Sequence, residues 1–118
     1  MSLTCLCSVS HLSEATDHKV YGSTSKAFIF SLHNNENLAP FKSMVKNPER
    51  AIRRYKWHGP TFGTEDLFIN KDGYTGRKAS ITNFGNDYFV PENVTNRTTI
   101  LAGVYSFLPD EVEVFYLN

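Results

Sequence analysis

The chain has 118 residues, of which 41% are hydrophobic and 14% aromatic. That suffices for one core and is too short for two domains. Twelve basic and twelve acidic residues cancel, so overall charge gives no long-range pull toward nucleic acid or an anionic membrane, and neither partner is expected.

No apolar run reaches the roughly 20 residues of a membrane span. The N-terminus shows neither a basic n-region nor a long apolar h-region, so an intracellular, cytoplasmic protein is expected. Nine Phe, six Tyr and one Trp favour strands over helices.

Residues 1–25 are weakly patterned, and a weakly ordered arm is expected over 1–19, with one domain over 20–118. Cys5 and Cys7 are too few for a disulfide framework. With His11 they have the makings of a metal site, but no second ligand pair follows at zinc spacing. The plainer reading is two reduced thiols, with no metal and no cofactor.

Lys26 to Leu32 reads as a strand. Phe28, Phe30 and Leu32 share one face; Ala27, Ile29 and Ser31 share the other. A polar turn follows at 33–37. Residues 38–46 are ambiguous: Leu38, Phe41 and Val45 fit a helical stripe, whereas Pro40 favours an extended piece. Asn47-Pro48-Glu49 has the chemistry of a helix start, with Asn as the N-cap. Ile52 to Trp57 reads as a strand whose Tyr55 and Trp57 face the core, with Arg53 snorkelling beside them.

Gly59-Pro60-Thr61-Phe62-Gly63 is a turn that returns an aromatic to the core, and Asp66-Leu67-Phe68-Ile69-Asn70 continues as a strand apolar on both sides. Lys71-Asp72-Gly73 is a hairpin signal. It fails as a calcium loop, because Phe68 and Ala79 stand where carboxylates are required. Short strands are expected at 80–83, 88–90 and 99–107, with Gly103 inside the third marking a bulge, and a last strand at 111–117. Short strands broken by turns indicate a mainly β (α+β) chain: a two-sheet antiparallel β-sandwich with one or two short helices.

Arg50, Arg53, Arg54 and Lys56 cluster beside Tyr55 and Trp57. A solvated strand face is the plain reading, and docking of an acidic protein partner through Arg53, Arg54 and Lys56 is the better functional one. His11, His18, His33 and His58 show no paired spacing. Glu111 and Glu113 share a strand face and suit a polar edge better than an acid/base pair. The sequons at Asn93 and Asn96 read as unused loop residues. No nucleophile and base pattern can be assembled.

One ordered set of motifs resembles a known family. Ala27-Phe28-Ile29-Phe30-Ser31-Leu32, Ala51-Ile52, Gly59-Pro60-Thr61-Phe62-Gly63, Asp66-Leu67-Phe68-Ile69, Ser80, Tyr88, Leu101-Ala102-Gly103 and Glu111-Val112-Glu113-Val114-Phe115 are similar, in that order, to the signature of the TLDc domain. They cover roughly residues 20–116. The family is that of the eukaryotic oxidation-resistance proteins. The resemblance implies a β-sandwich with small flanking helices and a link to oxidative-stress protection. It also implies cytosolic engagement of the vacuolar proton-pumping ATPase (V-ATPase) by several members, with no agreed cofactor or catalytic centre. The structural motif positions are then Phe28, Phe30, Gly59, Pro60, Phe62, Gly63, Asp66, Leu67, Gly103, Glu111, Glu113 and Phe115. Cys7 to His11 stands where the family carries a glycine-rich turn with a Trp, so the chain is expected to be N-terminally shortened.

The expected function is a non-enzymatic interaction module. The rival is an antioxidant enzyme or scavenger working through Cys5 and Cys7. A third reading is a truncated copy without autonomous function.

Overall fold

The computed structural model describes residues 5–7, 20–54, 59, 61–70 and 80–108. Among the described residues nine short strands form two antiparallel sheets. They are β1 (Cys5–Cys7), β2 (Val20–Gly22), β3 (Phe28–Ser31), β4 (Phe41–Met44), β5 (Ile52–Arg54), β6 (Thr61–Phe62), β7 (Leu67–Phe68), β8 (Ser80–Ile81) and β9 (Ser106–Phe107). The first sheet runs β1-β3-β4 and the second β2-β5-β6-β7-β8-β9. The only helical element among the described residues is a 3-10 turn, Pro48–Arg50.

The alternation of β3 decides how the first sheet sits. Ile29 and Ser31 are buried, while Phe28 and Phe30 lie half-buried on the opposite face. β4 follows the same rule in register, with Ile29 opposite Ser43 and Phe28 opposite Met44. The polar turn between them is held by one side chain. Asn34 Oδ1 accepts the Glu36 and Leu38 N–H groups at 3.0 and 2.9 Å, and its amide donates to the Leu38 carbonyl.

In the second sheet Ile52 pairs with Phe62, and Phe62 with Leu67. These three side chains join Ala27, Ile29 and Val45 near the first sheet in one apolar cluster. Phe84, Tyr88, Ile100 and Leu101 complete it from the connecting segments. Each large side chain buried there contributes about 1.5–3 kcal/mol.

Several expectations are corrected. Residues 41–44 are extended, so the strand reading wins over the helical stripe once Pro40 is passed. Asn47 makes no side-chain cap to the 3-10 turn; its amide reaches Asp87 instead. β5 is buried on both faces, with Ile52 in the core and Arg53 also covered, so its inward face is not the Arg53 face alone. Residues 88–90 form no strand, only a bridge between Tyr88 and Val45. Residues 99–105 are turns. The Asn96 carbonyl accepts N–H groups from Thr99 and Ile100, and the Thr99 carbonyl accepts that of Gly103, whose φ of +88° ends the run. Only Ser106–Phe107 of that stretch is strand. The hairpin at 71–73 and the strand at 111–117 lie outside the described residues.

Candidate functional site

The motif residue Asp66 leads to the most extensively hydrogen-bonded side-chain site among the described residues. It stands at the end of the turn joining β6 to β7. Gly63 opens that turn at φ +67°, a conformation that favours glycine. A β-carbon at Gly63 would collide with the Asp66 carboxylate. The Gly63 N–H donates to the Ala51 carbonyl at 2.9 Å, tying the turn to β5.

The Asp66 side chain is fully buried. Its Oδ2 accepts the backbone N–H groups of Gly85 (2.9 Å) and Tyr88 (3.0 Å), and both oxygens accept that of Asp87 (3.0 and 3.1 Å). One carboxylate thus holds the whole 85–88 loop. Asp87 answers in the other direction. Its Oδ2 accepts both the N–H (2.7 Å) and the hydroxyl (2.8 Å) of Thr64. Its Oδ1 accepts Asn47 Nδ2 and Arg50 Nε, each at 2.8 Å. Tyr88 then enters the core, where its hydroxyl donates to the Ala51 carbonyl at 2.6 Å.

The two carboxylates differ in electrostatics. Burial pushes the Asp66 carboxyl up to about 6, against the opposing pull of its three N–H donors and with a further push from Asp87. Burial pushes Asp87 up as well. The hydrogen bonds from Asn47, Arg50 and Thr64 outweigh it and hold the carboxyl below its ordinary value. Both groups are enclosed and their oxygens occupied. The pair fixes backbone and presents no acceptor to a substrate.

A second carboxylate latch lies on the surface. Glu36 accepts the N–H groups of Thr95 and Asn96 at 2.7 and 2.9 Å, and these bonds lower its carboxyl below the ordinary range. It joins the β3–β4 turn to the 95–103 segment. Between His33–Asn35 and Ile100–Gly103 lies a cavity of about 210 Å³. That is below the ~300 Å³ at which ordinary ligand pockets begin.

The other sequence-derived positions fall as follows. Phe62 and Leu67 are core residues; the Gly59 N–H donates to the Ile69 carbonyl at 3.0 Å. Arg53 is buried, with its guanidinium 5.9 Å from the centre of the Phe68 ring, and Arg54 is half-buried. Pro60, Lys56, Tyr55, Trp57, His58, Glu111, Glu113 and Phe115 lie outside the described residues, as do His11 and His18. β1 contains Cys5 and Cys7 as backbone partners of Ser31 and Ile29. Among the described residues no three His, Cys, Asp or Glu side chains converge on a metal-sized site. No helix among them is long and apolar enough to cross a membrane.

Asp87, Thr64, Asn47 and Arg50 carry half of the brace, and no sequence pattern joins them. Asp87 reads as an ordinary turn residue after Gly85-Asn86. Its partners lie 23 to 40 positions away.

A small antiparallel β domain braced by two buried carboxylates is the class that this fold and site define. A family model for the TLDc domain matches residues 6–118. The chain belongs to the TLDc family. Searches of curated proteins and of solved structures found no significant match.

Proposed function

We propose that this chain is a non-enzymatic protein-interaction module of the TLDc family, associated with oxidative-stress protection and docking on the cytosolic sector of the V-ATPase. The observation that carries this reading is the full engagement of Asp66. This carboxylate is a motif position, and its bonds are spent on the 85–88 loop. Docking is assigned to the segment 59–63, which contains β6, together with Arg53, Arg54 and Lys56, on a cytoplasmic protein.

The finer architecture in this reading is a β-sandwich over 20–118. Its support is the core cluster, which takes Ile29 from one sheet and Ile52, Phe62 and Leu67 from the other. Catalysis by Cys5 and Cys7 remains the rival.

The test is a pull-down with the soluble ATPase sector, using protein whose folding has been verified by near-UV circular dichroism. Retention supports the docking. A folded sample that fails to bind removes it. For the rival, Cys5→Ser with Cys7→Ser should leave peroxide consumption unchanged; its loss would establish thiol chemistry instead.

A further inference from the structure

The outer face of the first sheet is a surface that the carboxylate brace does not use. In register, Phe28 stands opposite Met44. The Val45–Tyr88 bridge and the Phe89 N–H bond to the Met44 carbonyl (3.0 Å) place Phe89 beside Met44 in turn. Phe28, Met44 and Phe89 therefore form one apolar row across two strands and a loop. Met44 is 39% exposed and Phe89 55%. Residues 42, 44 and 46 share this face by strand alternation, and all three are exposed.

Among the described residues no carboxylate forms an ion pair with the lysines of this face. Lys42 Nζ lies 4.2 Å from the centre of the Phe28 ring. Lys46 Nζ donates to the Gly85 carbonyl at 3.0 Å. Lys26, also exposed, stands two residues before Phe28. Arg50 pairs with Glu49 and Asp87. A neutral chain thus concentrates positive charge around an exposed apolar row.

We propose that this face, centred on Met44 and Phe89 between Lys42 and Lys46, docks an acidic peptide segment carrying apolar anchor residues. Charge complementarity chooses the partner's sign, and the apolar row chooses a peptide over a bare polyanion. Three lysines are too few for the phosphate contacts that hold nucleic acid at physiological salt. The proposal does not depend on ATPase docking, which involves other residues.

The experiment is fluorescence anisotropy of the full chain with a labelled 12-residue peptide alternating Glu with Leu and Phe, and with a control in which every Glu is Lys. Binding of the Glu peptide alone is expected, weakening as salt rises. Lys42→Glu with Lys46→Glu should weaken it at least about tenfold, and Phe89→Ser by several-fold, with near-UV circular dichroism unchanged. Phe89 and both lysines are exposed, so these variants keep the core intact. Equal binding of the Lys control, or variants that bind as wild type does, would overturn the proposal. Tighter binding to phosphatidylserine vesicles or to single-stranded RNA than to the Glu peptide would overturn it too. If Lys42→Glu/Lys46→Glu alone fails to fold, Lys42→Gln/Lys46→Gln must still weaken peptide binding.

Discussion

The Asp66 carboxylate accepts the backbone N–H of Asp87 with both oxygens, at 3.0 and 3.1 Å, while the Asp87 carboxylate accepts the N–H of Thr64, two residues before Asp66. Each acid closes the loop to which the other belongs. Two turns separated by about twenty residues thereby act as one unit, joined by charge-assisted bonds to two buried carboxylates.

Asp66→Ala removes the acceptor for three N–H groups at once, two of them fully buried. An orphaned buried donor costs about 1–3 kcal/mol. Relaxation recovers some of that, so a net loss of roughly 3 kcal/mol is expected in urea unfolding at neutral pH, larger than for typical single substitutions.

The pH dependence follows from Asp66 being raised from 3.8 to about 6. The folded state holds this proton more tightly than the unfolded chain does. Stability from this group is therefore full below its unfolded value and is lost as pH rises through about 6. Asp87 has the opposite sign: its lowered carboxyl contributes above the unfolded value and the contribution fades as pH falls. Unfolding curves for wild type and Asp66→Asn, compared between about pH 4 and pH 7, should show wild type losing on the order of 3 kcal/mol relative to the variant as pH rises.

Gly63→Ala is expected to destabilise by roughly 2–4 kcal/mol, because it combines a positive φ with a clash against Asp66. Thermal unfolding reads the effect directly. A shift no larger than that of an exposed Ala substitution would mean that the turn relaxes freely.

Tyr88→Phe tests the link from the brace into the core. The Tyr88 hydroxyl donates to the Ala51 carbonyl, which also accepts the Gly63 N–H, so that carbonyl keeps one partner in the variant. The expected cost is about 1 kcal/mol in urea unfolding.

Strand β3 was legible because an unbroken run of strand-favouring side chains, Phe28-Ile29-Phe30, puts its aromatics on one face and Ala27, Ile29 and Ser31 on the other. Phe62 and Leu67 were legible for a similar reason, since a glycine-flanked aromatic beside an apolar strand has nowhere to go but inward. Gly63 and Asp66 were marked by the family resemblance, which named them without giving them a role. That role depends on residues 85–88, and no local pattern encodes a bond across such a separation. Ile100-Leu101-Ala102 misled for a different reason. An uninterrupted apolar run suits a buried strand and a buried turn equally, and the carbonyls of Asn96 and Thr99 settle it as turns. Asn47 carries N-cap chemistry, but Asp87 offers its amide a buried charged acceptor, which outcompetes a cap on a turn of three residues.

The most direct test of the central claim is a double-mutant cycle on Asp66→Asn and Asp87→Asn, read by urea unfolding at neutral pH. If the two carboxylates form one brace, the losses should be non-additive by at least about 1 kcal/mol, because the first substitution already loosens both loops. Losses that add to within about 0.5 kcal/mol would mean that the two acids serve their loops independently and would contradict the account.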